Sequence, residues 1–410
     1  MAQWEPFSRG RNLELRCALA TRIANLETLA AVRANISGHA VALHALRGLI
    51  AREPGFEARL FDRILPALLG AASGLLHRGA AIDIHTRGVA QRTVVAREDV
   101  AGWVAHMVLW TLARPSADHP ELDFAPLLAA DDTVAVLRCV LAYFDRIADE
   151  PATGRFEIER RVVAPRTAAE WAADGSPLTA LTVDDTGSIE DAESHLQVDF
   201  ANRYLGGGVL RGGCVQEEIR FAVAPEHFAA MIVSPRMRDD EAIVMHGAER
   251  FAASTGYAHR FAYAGPFRDP VTRAPDGTPD IDFVAIDAID YRRGATRDQF
   301  GEPAMLRELG KARAGWQRDD ARNLPVATGN WGCGAFRGDP PLKALLQWIA
   351  ASAEGRALRY ATFGDARVGD LAGFMRAARE RIGTAGALWQ RVRASVDPDQ
   401  PQRLYERVLA

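Results

Sequence analysis

Gly206-Gly207-Gly208-Val209-Leu210-Arg211-Gly212-Gly213-Cys214-Val215-Gln216-Glu217-Glu218-Ile219-Arg220-Phe221 is the stretch whose reading decides this chain. Five glycines fall within eight positions, which leaves long spans of backbone without Cβ. Such a loop reaches φ > 0 at little cost and brings its N–H groups close to a ligand. Concavities of this kind hold anions, phosphates above all. Two adjacent carboxylates follow, Glu217 and Glu218, and then Ile219, Phe221 and Val223 alternate with other residues. The alternation predicts a strand over Ile219–Val223. A phosphate-binding loop beside a carboxylic acid suits cleavage of a phosphate-bearing sugar. A glycine-rich hairpin with two solvated glutamates explains the same letters, because glycine loops are weakly specific.

Working outward, Val198-Asp199-Phe200-Ala201-Asn202-Arg203 precedes the loop. Thr255-Gly256-Tyr257, Thr328-Gly329-Asn330-Trp331-Gly332-Cys333-Gly334-Ala335-Phe336 and Thr362-Phe363-Gly364-Asp365 follow in order. The second glycine loop lies between an expected strand, Pro325–Thr328, and a helix expected from Pro340. That layout presents backbone N–H groups to an anion.

Taken together, these blocks resemble the signature of poly(ADP-ribose) glycohydrolases: the triple glycine, a seven-residue spacer, Gln216-Glu217-Glu218, and three further segments. The resemblance implies a macrodomain-like catalytic domain that hydrolyses ribose–ribose O-glycosidic bonds of poly(ADP-ribose) and releases ADP-ribose. It implies Glu218 as general acid/base, with Glu217 and Asn202 holding the ribose hydroxyls. It also implies a substrate cleft made by Ile189, Glu190, Gly206, Gly207, Gly208, Gln216, Tyr257, Asn330, Gly332, Cys333, Gly334, Ala335, Phe336 and Phe363. Asp199 is read as a supporting residue. By default Tyr257 and Phe363 would be core aromatics; the resemblance places them against the ADP-ribose. The stretch between Glu190 and Asp199 is one residue shorter than the family pattern. Arg337 stands where that pattern has glycine or a small residue. The partners implied are poly(ADP-ribose) and poly(ADP-ribosyl)ated proteins. Two alternatives remain open: a non-hydrolytic macrodomain that reads ADP-ribose, and a hydrolase of protein-linked mono(ADP-ribose).

Composition agrees with a globular enzyme. The chain has 410 residues, 48% hydrophobic and 25% charged, with a net charge of −4. It carries no global basic field to draw in a polyanion, so attraction must be local. Cys17, Cys139, Cys214 and Cys333 form no CxxC pair and the ten histidines are scattered, so neither zinc nor disulfides are expected, and no cofactor. No uncharged apolar run reaches membrane length. Met1-Ala2-Gln3-Trp4-Glu5-Pro6 lacks a signal-peptide pattern. A cytoplasmic location is expected.

Apolar spacing predicts helices throughout 1–150, an all-helical accessory domain. Examples are Phe56–His77, Asp99–Leu112 and Thr133–Ile147. Past Pro151 strands and helices alternate, which predicts a mixed α/β sheet flanked by helices over 151–410. Expected strands include Arg155–Val163, Gln197–Phe200, Ala242–Met245, Tyr257–Tyr263, Phe283–Asp287 and Ala357–Phe363. Asp370–Val392 reads as one helix, and 397–402 as loop.

Overall fold

The computed structural model describes residues 2–4, 14–16, 18–38, 40, 42–79, 81–318 and 323–410. Cys17, weighed above, lies outside the described residues. Twelve strands are described: β1 (Ala2–Trp4), β2 (Ile82–Ile84), β3 (Gln91–Ala96), β4 (Arg155–Val162), β5 (Leu181–Asp184), β6 (Leu196–Ala201), β7 (Glu241–His246), β8 (Ala252–Thr255), β9 (Ala262–Pro266), β10 (Asp282–Asp287), β11 (Val326–Gly329) and β12 (Leu358–Ala361). Eight of them make one mixed sheet in the order β3-β4-β7-β10-β6-β11-β12-β5. From β10 to β5 the strands are parallel, while β7, β4 and β3 add on antiparallel. The central strand β10 is buried at every position, the continuous burial expected of a strand covered on both faces.

The helices that matter here are α1 (Leu26–Ser37), α2 (His44–Arg52), α3 (Leu65–Arg78), α4 (Arg97–Val108), α5 (Val134–Ile147), α6 (Gln216–Val223), α7 (Phe228–Val233), α8 (Glu302–Trp316), α9 (Pro340–Ala353), α10 (Leu371–Arg381) and α11 (Ala385–Ser395). One face of the sheet packs on α1 to α7 in a single apolar cluster that includes Trp103, Phe144, Phe221 and Phe283. The other face packs on α8, α9, α10 and α11 around Trp316, Trp331, Trp348 and Trp389.

Four expectations are corrected. The N-terminal part is not all helical: β3 joins the main sheet and pairs with β4 across the turn near Pro151. Buried Arg97 of α4 also pairs with Glu226 at 2.8 Å and Glu249 at 2.6 Å, both beyond that turn. Second, Ile219–Val223 is helix, not strand. Glu217, Glu218, Arg220, Phe221, Ala222 and Val223 are all buried, so a helix buried nearly all round shows no 3.6-residue stripe and its alternation misleads. Third, Ala258–Arg260 is a 3₁₀ turn, and the strand β9 begins only at Ala262. Fourth, α10 and α11 are separate helices: Gly383 takes φ +79°, and the Thr384 side chain caps α11 by accepting from the Ala387 N–H. The segment read as loop at 397–402 ends in a 3₁₀ turn over Pro401–Arg403.

Candidate active site

The site is built where two parallel strands part. β6 and β11 pair only at Leu196–Val326 and Gln197–Ala327. Past them the side chain of Gln216 does the work of a ladder. Its Oε1 accepts from the Phe200 N–H at 2.8 Å, and its Nε2 donates to the Val198 carbonyl at 3.2 Å and to Glu190 Oε1 at 3.3 Å. The divergence leaves the C-terminal ends of the two strands apart, the place where open α/β sheets bind ligands.

Gln216 begins α6, and Glu217 and Glu218 lie in its first turn. On a helix neighbouring residues differ by about 100°, so both acids turn toward the glycine loop, which an extended chain would prevent. Glu217 accepts from the N–H of Asn202 at 2.8 Å and of Gly206 at 2.7 Å. Glu218 accepts from Gly208 at 2.8 Å and, reaching back as a cap, from Val215 at 3.0 Å. All four carboxylate oxygens therefore staple the loop. Gly207 makes this possible. It takes φ +53°, and a Cβ there would fall 2.5 Å from Glu218 Oε1 and 2.6 Å from Glu217 Oε2. Asn202 joins the cluster through its backbone, and its Oδ1 accepts from the Tyr204 N–H at 3.0 Å.

The acids differ in depth: Glu217 is 2% exposed and Glu218 8%. Burial first, then the charges of Asp199 and Glu218, push the Glu217 carboxyl well above its usual range, against the Asn202 and Gly206 hydrogen bonds. Asp199 on β6 is fully buried, and neither of its oxygens has a hydrogen-bond partner among the described residues. Burial and the Glu218 charge raise it as well, with Arg220 opposing. The Arg220 guanidinium, also without hydrogen-bond partners among the described residues, lies 4.5 Å from the Phe283 ring centre, and burial lowers it to about 10.

Two aromatics stand at the rim. Among the described residues the exposed large apolar side chains are Val89, Val94, Tyr257 and Phe363. Tyr257 is tied to the first loop through its neighbour: Ala258 donates to the Cys214 carbonyl at 2.8 Å. Phe363 takes φ +54°, a strained conformation for a bulky residue. Its ring lies against the end of β11, where a Cβ on Gly329 would come within 2.9 Å of it.

The second loop follows β11. Asn330 is locked by the Thr362 carbonyl at 2.9 Å and the Tyr360 hydroxyl at 3.0 Å. The loop closes on itself through Cys333 N–H to the Asn330 carbonyl, 3.0 Å, and Gly338 N–H to the Gly332 carbonyl, 2.9 Å. The N–H groups of Gly334, Ala335 and Phe336 make no hydrogen bond among the described residues, and Gly334 and Ala335 are exposed. Cys333 is buried, with its thiol on the Trp331 carbonyl, so it offers a ligand only its backbone. Arg337 takes φ +61°, the left-handed conformation that favours glycine.

Ile189 is 1% exposed and packs with Ala192, Ala327 and Ala361 in a small apolar cluster against Phe200. Glu190 reaches the site through Gln216. Lys343, which sequence reasoning passed over, lies under the second loop; its one signal was a single cation in the apolar run of α9. His246, Asp280 and Asp282 bring ligand-type atoms within 4.8 Å of one another, but at the opposite, N-terminal end of β10. There His246 Nδ1 and Asp282 Oδ1 pair at 3.1 Å. No helix among the described residues is long and apolar enough to cross a membrane.

The family description "Poly (ADP-ribose) glycohydrolase (PARG), Macro domain fold" matches residues 168–370. Poly(ADP-ribose) glycohydrolase 1 of Arabidopsis thaliana is 31% identical over 81% of this chain and 77% of its own length. Poly(ADP-ribose) glycohydrolase 2 of Caenorhabditis elegans is 36% identical over 64% of this chain and 56% of its own. Poly(ADP-ribose) glycohydrolase 1 of the same animal is 34% identical over 68% of this chain and 37% of its own. With the glycine loops, the paired acids and the parted strands in place, these matches show that the chain belongs to the poly(ADP-ribose) glycohydrolase family.

Proposed function

We propose that the chain is a glycosidase that hydrolyses the ribose–ribose bonds of poly(ADP-ribose), free or on modified proteins, and releases ADP-ribose. The observation that carries this reading is the pair Glu217 and Glu218, held by loop N–H groups at the mouth of a crevice flanked by exposed Tyr257 and Phe363. Residues 151–410 carry the site and 1–150 support it. Tyr257 and Phe363 give the adenine and its ribose apolar faces. Glu190 faces the adenine edge, and Gln216 braces it from behind. The free N–H groups of Gly334, Ala335 and Phe336 take the diphosphate, and the Gly206–Gly208 backbone, whose N–H groups are spent on Glu217, Tyr204 and Glu218, holds the acids beside it.

Glu218, the less buried acid, gives its proton to the leaving 2′-oxygen as the C1″–O bond breaks. The sugar passes through an oxocarbenium-like state. Water then attacks C1″, and its proton returns to Glu218. Glu217 and Asn202 fix the ribose. A cytoplasmic setting belongs to the same reading, and the free thiols of Cys139, Cys214 and Cys333 are in keeping with it.

One observation favours a non-hydrolytic reader as the second reading: all four oxygens of the acid pair are already engaged as loop staples. The experiment measures ADP-ribose release from poly(ADP-ribose), with ADP-ribose binding, for the native protein and Glu218→Gln. The expected result is release by the native protein, a loss of about 10²–10⁴-fold in the variant, and binding by both. Binding without release in the native protein would establish the reader. Equal release by both would move the acid role away from Glu218.

A further inference from the structure

The neck of the second glycine loop closes over a buried ammonium. Lys343, in the first turn of α9, is 2% exposed. Its Nζ lies 3.9 Å from the centre of the Trp331 ring and pairs with Glu308 of α8. A Cβ on Gly332 would fall 3.4 Å from that Nζ, and one on Gly338 would fall 3.3 Å from Lys343 Cε. Gly332 and Gly338 are the two residues whose backbones hydrogen-bond to close the loop. The ammonium thus lies directly under the turn whose other side exposes the N–H groups of Gly334, Ala335 and Phe336.

Lys343 belongs to a larger buried cluster. Glu308 also accepts from the Ile289 N–H at 2.8 Å and meets Arg307 at 3.3 Å. Asp287 takes Arg307 at 2.6 Å and Lys311 at 2.7 Å. Three cations, Lys343, Arg307 and Lys311, face three carboxylates, Glu308, Asp287 and Asp239, and Asp239 on Arg307 is 73% exposed. The charged and titratable groups facing Lys343 are Glu308 and Arg307 from α8 and Cys333 from the loop. An ion pair that only clamps α9 to α8 would explain the contacts. It would not explain why the cation of the pair, and not the carboxylate, packs against Gly332 and Gly338 of a loop whose outward donors make no hydrogen bond among the described residues.

We infer that Lys343 is a positioning residue for the diphosphate: a fixed charge that attracts the anion through the thickness of the loop without touching it. This rests on the loop's role given under Proposed function. The experiment measures binding of ADP-ribose and of adenosine, which lacks the diphosphate, at about pH 6, where a buried lysine best keeps its proton. Lys343→Met is expected to weaken ADP-ribose about tenfold, the scale of one charge across a low-dielectric layer, and to leave adenosine unchanged. Glu308→Gln, which removes the opposing charge, is expected to leave ADP-ribose binding equal or tighter. If Lys343→Met folds poorly because Glu308 is left without it, the pair Glu308→Gln/Lys343→Met keeps the packing neutral and is still expected to bind ADP-ribose more weakly than native. Equal weakening by Lys343→Met and Glu308→Gln, or an unchanged affinity in Lys343→Met, would overturn the inference. Failure of the native protein to bind ADP-ribose would instead overturn the reading on which it rests.

Discussion

The two glycine loops of the crevice use the same residue type to opposite ends. In the first, Gly206 and Gly208 give their N–H groups to the protein's own carboxylates, and glycine is needed because side-chain oxygens fill the space beside Gly207. In the second, the outward N–H groups of Gly334–Phe336 stay unspent, and glycine is needed at Gly332 because Ala288 would lie 2.5 Å from any Cβ. The first loop rests on buried acids, Asp199, Glu217 and Glu218; the second rests on a buried lysine. A glycine loop is therefore not a phosphate site by composition. What lies beneath it decides whether it holds catalytic groups or an anion.

The comparison breaks most sharply at Gly207. Gly207→Ala should force both acids aside and place alanine at φ +53°. We expect kcat to fall by about 10²-fold or more, since misplacement near 1 Å has that effect, with ADP-ribose binding changed far less. Equal losses in kcat and binding would mean that the first loop, too, serves mainly to hold the anion.

The charge beneath the first loop predicts a pH signature. Asp199 and Glu217 have native values raised above those of the unfolded chain. Their contribution to stability is fully present below about pH 4, the ordinary carboxylate range, and is lost as pH rises toward the raised native values. Each group contributes a slope of up to about 1.4 kcal/mol per pH unit. Asp199→Asn, uncharged at every pH, should flatten urea stability against pH between about 4 and 7; an unaltered slope would show that Asp199 is ionised in the native state.

The smallest effect belongs to Arg337. Arg337→Gly removes a left-handed side chain and should raise stability by about 0.5–1 kcal/mol, read from the denaturation midpoint. A loss would show that the guanidinium itself holds the second loop.

Much of this site was legible because its segments are short, glycine-marked and ordered along the chain. The parallel strands leading into both loops were legible too, from their apolar runs. What was hidden had physical causes. Helix α6 alternates like a strand because even Arg220 is buried, its guanidinium over Phe283. Strand β3 carries its pattern in only two buried positions, Thr93 and Val95, between two helices. The partnership of Lys343 with Glu308 spans 35 positions, which spacing does not reveal. The break before α11 was readable in Gly383-Thr384, a stop followed by a cap, and was missed by following hydrophobicity alone.

The pairing of β3 with β4 has a practical bearing on where this protein can be cut. A polypeptide trimmed to the family-matched residues 168–370 would lose both strands and leave β7 as a bare sheet margin. It would also strip α1 to α5 from the apolar surface of Phe221, Phe228 and Phe283. A naked margin beside an uncovered oily face is an invitation to polymerise. The segment before Pro151 thus guards solubility, whatever else it does, and the smallest fragment that keeps the enzyme monodisperse must begin upstream of Gln91.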